Sequence, residues 1–211
     1  MVLFLGARLH SFIFSRMALW NFDVVRANAS DVKTLPAIQA PDGYADFRLW
    51  GEKRIKAYKA SFARQFDTPL GVLSIPRLQL TAPIFDGTDD LTLDRGLGRV
   101  VGTAKPGANG NLAIAGHRDG FFRILKDISK GDLIEIDLPA EKDDYSVDVM
   151  QIVDPKDVSV LASSSAPTVT LITCYPFYFV GDAPQRFIVK ASLKHRELLP
   201  QTAASFQGPP Q

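Results

Sequence analysis

Val169–Val189 reads VTLITCYPFYFVGDAPQRFIV. It opens as a buried strand, with the apolar, β-prone residues Val169, Leu171 and Ile172. The strand ends on Cys174, the only cysteine among the 211 residues. A loop rich in Tyr, Pro, Phe and Gly follows, and Arg186 then opens a second apolar run, Phe187–Val189. A nucleophile at the end of one strand and a fixed cation at the start of the next stand side by side if the two strands pair.

Upstream, from Gly71, short β runs alternate with turn residues. Gly71–Ile75 and Arg77–Phe85 are expected as strands parted by Pro76, Leu91–Leu97 as one or two helical turns, and Gly98–Thr103 and Asn111–Ala115 as strands. Phe121–Ile128 reads as a short helix. Asp132–Leu138 and Tyr145–Val153 alternate apolar and polar residues, and Val169–Cys174 and Arg186–Leu193 complete the set. About eight short strands with small helices in the connections suit a closed barrel or a sandwich, and spacing alone does not choose between them.

Residues 1–27 are apolar but interrupted by Arg8, His10 and Arg16, so they lack the roughly 20 nearly uncharged residues of a membrane-crossing helix. They read as an apolar helix face with a few cations, lying on a membrane surface or on the domain; a cleaved signal peptide fits less well. Residues 28–47, with Pro36, Pro41 and Gly43, read as a linker, and Arg48–Phe66 as an amphipathic helix with Leu49, Ile55, Tyr58 and Phe62 on one side. The expected organisation is a helical and linker appendage over 1–66, a β domain over 67–195 and a flexible polar tail over 196–211. Hydrophobic residues make up 46%, enough for a core, and a net charge of +1 without a basic stripe argues against a nucleic-acid partner. A single cysteine excludes an internal disulfide and a multi-cysteine zinc site. Asp86, Asp89, Asp90 and Asp94 lack the glycine and glutamate spacing of an EF-hand loop, and read as a solvated acidic face rather than a calcium site.

Three side chains carry the chemistry. The Cys174 thiolate suits attack on a peptide carbonyl. His117, in IAGHRD just after the Asn111–Ala115 strand, suits protonation of a leaving amine as general acid/base. Arg186 has the planar fork that stabilises an oxyanion and holds substrate. Singly, each has a bland reading: a small buried hydrophobe, a structural imidazole and a surface cation. Together TLITC, APQR and GHRD resemble the signature of the sortase family. YPF after the cysteine and APxR before the second strand look most like class D and class E sortases and their Gram-negative relatives. The similarity covers Leu70–Leu193. IPRLQLTAPIFDGTDDLTLDRGLGR is similar to the family's opening strands and helix, and VDPKDVSVLASSS to the segment leading into the cysteine strand.

The resemblance implies a mainly β fold, an eight-stranded barrel with short helices in the connections, and calls for no cofactor. Thr173, Asp119 and Tyr175 are expected near the substrate. The hydroxyls of Thr170 and Thr173 either serve the site or merely accompany branched side chains that favour a strand. Asp119 is placed to orient His117 or to pair with Arg118. Gly110 and Gly116 suit tight turns or close backbone approach.

The activity implied is that of a cysteine transpeptidase, a thiol protease-like hydrolase of peptide bonds. It would cleave an LPxTG-like sorting signal after Thr through a Cys174 thioester. The implied partners are a substrate protein carrying a C-terminal sorting signal and an amine acceptor in the cell envelope. The implied location is the extracytoplasmic side of the cytoplasmic membrane, with the N-terminal segment as the membrane contact. The rival readings are a cysteine endopeptidase using water and a non-catalytic barrel that holds sorting peptides. Leu199–Ala203 reads LPQTA, a decoy of the implied substrate or, more simply, chance in a Pro/Gln-rich tail.

Overall fold

The computed structural model describes residues 68–178 and 183–199. The appendage and linker over 1–66 and the LPQTA reading from Pro200 onward lie outside the described residues. Among the described residues no helix is long and apolar enough to cross a membrane.

The strands are β1 (Gly71–Ile75), β2 (Leu80–Asp86), β3 (Leu97–Arg99), β4 (Asn111–Ala115), β5 (Leu133–Asp137), β6 (Glu141–Val153), β7 (Thr168–Tyr175) and β8 (Gln185–Leu198). They close into a barrel in the order β1-β2-β3-β4-β7-β8-β6-β5. Closure leaves no unpaired edge, the choice between barrel and sandwich that strand spacing left open. Pairs β2–β3 and β4–β7 are parallel and the rest antiparallel. The inner face carries the core: Leu73, Ile75, Ile84, Leu97, Ile114, Ile134, Leu171 and Val189 among others, each fully buried. Each such side chain contributes about 1.5–3 kcal/mol on burial.

Several elements differ from the sequence expectation. The run Arg77–Phe85 is not one strand: Pro76–Leu78 form a 3-10 turn, Gln79 adopts a left-handed φ of 54°, and β2 starts at Leu80. Proline at the first position presets the turn. Arg77 then leaves the strand path to grip Asp132 with two bonds of 2.5 Å. The Arg77 guanidinium holds the Asp132 carboxyl below its usual range. The run Gly98–Thr103 is strand only to Arg99, because the Thr103 amide and hydroxyl both bond back to the Val100 carbonyl. The helical run is α1 (Asp90–Arg95), with Asp89 as N-cap accepting from the Leu91 and Thr92 amides.

The last strand runs to Leu198, past the expected boundary at 195, and His195 lies opposite Asp144 in the ladder. The cause is a buried clasp. Arg196 donates to both oxygens of fully buried Asp143 at 2.5 and 2.6 Å and to the Gly107 carbonyl at 2.9 Å. The Tyr145 hydroxyl donates to Asp143 at 3.1 Å. Burial and the Asp143 charge push the Tyr145 phenol well up, and the bond to Asp143 raises Arg196 further. The phenol therefore stays neutral and the guanidinium charged across the working pH range.

Arg196→Met leaves Asp143 buried without its counter-charge, and is expected to cost about 3–5 kcal/mol in urea unfolding. Adding Asp143→Leu is expected to recover part of that loss, because the uncompensated charge is then gone.

Candidate active site

Parallel pairing of β4 with β7 sets the site. Ala115 lies beside Ile172, and the Gly116 amide donates to the Ile172 carbonyl at 3.1 Å. Both strands point the same way, so His117 and Cys174 leave the barrel at the same end. β8 returns antiparallel, with Cys174 directly opposite Arg186. Directly opposed residues share a face, with Cα atoms about 4.5–5.5 Å apart.

Which face follows from the core. Val169, Leu171, Val189 and Ala191 belong to the interior cluster. By the period of 2 along a strand, the opposed pairs Thr170–Lys190, Ile172–Ile188 and Cys174–Arg186 lie on the outer face. Cys174 is half-buried there. Arg186 donates through Nη1 to the Ala183 and Gln185 carbonyls at 3.2 and 3.0 Å.

The His117 turn is held by packing. A Cβ on Gly116 would lie 2.7 Å from the Phe122 ring and 3.0 Å from Leu97 Cδ2, so only glycine fits there. The His117 carbonyl accepts from the Gly120 and Phe122 amides at 3.1 and 3.2 Å, opening the 3-10 segment Phe121–Asp127, in which Phe122 and Leu125 are fully buried. Gly110, the other glycine singled out, has φ 112° just before β4.

The two threonines have structural bonds. Thr173, 2% exposed, donates to the Gly116 carbonyl at 2.8 Å and so ties β7 to the histidine turn. Thr170 donates to Asn111 Oδ1 at 2.7 Å, and the Asn111 amide donates to the Val160 and Ala162 carbonyls. Tyr175 is packed among Phe177 and Phe187, with ring centroids at 5.8 and 6.3 Å, against the end of the core. The Tyr175–Pro176 peptide is cis. The loop after the cysteine is linked to the loop after the histidine twice: Arg118 donates to the Pro176 carbonyl at 3.3 Å, and the Arg123 guanidinium lies 5.1 Å from the centre of the exposed Tyr178 ring.

The acidic run is not one solvated face. Asp86 pairs with Arg99, Asp89 caps α1, and Asp94 places a carboxylate with a side chain only 1% exposed 3.6 Å from His117 Nε2. Asp119, expected to orient His117 or to pair with Arg118, lies exposed on the histidine turn. Sequence reading missed Asp94 because its contact is tertiary. The available signal was its position, one turn before the buried segment Leu97–Arg99, where a charge must find a partner. Among the described residues no group of three His, Cys, Asp or Glu side chains is arranged to hold a metal ion.

Comparison with known proteins follows the same lines. The family model described as "Sortase domain" matches residues 73–194. Sortase D of Bacillus subtilis is 36% identical over 62% of this chain and 67% of its own length. Among solved structures, the sortase D5 transpeptidase of Clostridium perfringens superposes with a TM-score of 0.62 over 86% of this chain and 99% of that one. Its 23% identity bears on the fold alone. Sortase E1 of Streptomyces coelicolor, solved with a tripeptide in the active site, gives a TM-score of 0.55 at 26% identity, over 62% of this chain and 90% of that one.

Gly116→Ala drives a methyl group into the Phe122 ring, and is expected to cost about 1–3 kcal/mol of stability by thermal or urea unfolding. Adding Phe122→Leu, which opens the contact, is expected to make the alanine less costly than it is in the parent chain.

Proposed function

The chain belongs to the sortase family, and on that premise we propose that it is a cysteine transpeptidase acting on an LPxTG-like sorting signal at the C-terminus of a partner protein. The observation that carries the reading is the register of β7, with Cys174 opposite Arg186 and the His117 turn at the same barrel end.

In this reading the signal peptide lies extended along the outer face beside β7 and β8. The Cys174 thiolate attacks the carbonyl carbon of the signal's Thr, and the carbonyl electron pair moves onto oxygen. The Arg186 fork stabilises that oxyanion with hydrogen bonds that strengthen as charge develops. Collapse of the intermediate breaks the C–N bond. His117, as imidazolium, gives its proton to the departing amine, which leaves a Cys174 thioester and a neutral imidazole. An envelope amine then attacks the thioester, and His117 takes up the proton it loses. The new amide releases the thiolate, so atoms and charge return to the starting state.

The proposed location is the extracytoplasmic side of the cytoplasmic membrane, with residues 1–27 as the membrane contact. Asp119 and Tyr175 stand as substrate neighbours in this reading, Asp119 from its exposure on the histidine turn. Thr173 acts through the Gly116 carbonyl that it holds.

Cys174→Ala is expected to abolish cleavage of a sorting peptide with no loss of thermal stability. A folded alanine variant that still cleaves removes the assignment. Arg186→Lys is expected to lose about 10²–10³ in rate, since an ammonium lacks the fork. Mass spectrometry of the products, with and without an added oligoglycine or diamine, separates transfer from hydrolysis. A hydrolysed product at every amine concentration identifies an endopeptidase instead.

A further inference from the structure

His117 Nε2 is withdrawn from solvent although the side chain as a whole is 24% exposed. The exposed part therefore lies elsewhere on the side chain. The group facing Nε2 is the Asp94 carboxylate at 3.6 Å, with a side chain 1% exposed. That distance is too long for a direct hydrogen bond, and the contact becomes an ion pair when the imidazole is protonated. Screening by salt is weak where neither atom meets water.

Both partners are fixed from the backbone. On one side, α1 is capped by Asp89, and its C-terminal end is wedged: a Cβ on Gly96 would lie 2.6 Å from the Pro83 carbonyl oxygen. On the other, His117 is held by the Gly116 packing and by the two amides on its carbonyl. A buried carboxylate is costly unless a charge compensates it. The titratable and charged groups gathered around this barrel end are Arg95 beside Asp94 on α1, Arg118 and Asp119 on the histidine turn, Arg123 on the 3-10 segment, Cys174 on β7 and Arg186 on β8.

We propose that Asp94 is the positioning residue for His117. Its carboxylate orients the ring through Nε2 and favours the imidazolium. Nδ1 is then the nitrogen that gives and takes the proton at the thioester site. The division of labour is that of a general acid oriented from behind by a buried carboxylate. The catalytic part of this inference rests on the transpeptidase reading; the Asp94–His117 contact does not.

The test is Asp94→Asn in the full chain with [13Cε1]-histidine labelling, His117 being assigned by its loss in His117→Gln. The His117 ring is expected to titrate about one pH unit lower in the variant, since a nearby opposite charge favours the charged form. The basic limb of the kcat/KM profile for a sorting peptide is expected to move down with it. The expected cost at the pH optimum is about tenfold in kcat with KM unchanged, and Asp94→Glu is expected to restore part of it. An unchanged His117 titration in the folded variant overturns the proposal. If Asp94→Asn does not fold, the unaltered chain still decides: the Asp94 13Cγ resonance must shift as His117 titrates, and a carboxyl signal that ignores that step overturns it equally. A chain that cleaves no sorting peptide fails the transpeptidase reading, whereas the two titrations need no substrate and decide the contact separately.

Discussion

The parallel pairing of β7 with β4 is the constraint on which the site depends. Parallel neighbours cannot be joined by a tight turn, and here the chain between them travels through β5 and β6 before it returns. That detour separates Gly116 from Thr173 by 57 residues, yet the Thr173 hydroxyl bonds the Gly116 carbonyl. Register matters as much as direction. A slip of one residue along β7 would turn Cys174 from the outer face to the core. The interior set Val169 and Leu171 opposes that slip, because it would expose them in exchange.

The barrel end below the site is filled by aromatic side chains. Phe177 meets Phe187 at 5.3 Å between ring centroids, and Tyr175 completes the cluster. Edge-on and offset aromatic contacts of this kind add to the burial of their area. The inner face of the β7–β8 pair is thus spent on packing, which leaves the outer face to chemistry. Arg118 and Arg123 then couple the loop after His117 to the loop after Cys174. The two loops are thus joined to each other, and the histidine turn also to β7.

What could be read in the sequence follows the range of the interactions involved. Cys174 and Arg186 were legible as neighbours because they sit on consecutive strands, where one assumption, antiparallel pairing, brings them together. The core strands were legible from alternation, and Gly116 from its place between a buried strand and a histidine. Barrel closure was not, since it depends on β1 meeting β5 and on β8 entering between β6 and β7. Arg196 and Asp94 read as part of a polar tail and of a solvated acidic face, because in each case the partner that draws them inward lies far along the chain or across the fold. Local propensity predicts a strand from Arg77, but Pro76 opens a 3-10 turn there, and Arg77 reaches Asp132 from it. The same kind of pair extends β8 beyond its apolar run.

The position of β8 in the ring also bears on the order in which the molecule comes into being. β8 is the final described strand, and it fits between two strands made earlier, β6 on one side and β7 on the other. A chain emerging from the ribosome, or crossing a membrane amino end first, therefore carries its thiol on a strand with one flank still open. The guanidinium arrives with the last stave, and that stave is secured at its far end by Arg196 on Asp143. Assembly of the site is thus tied to the arrival of β8. A nascent or truncated chain holds an unopposed cysteine beside a bare sheet edge, a species for chaperones and quality-control proteases rather than a slow version of the finished molecule.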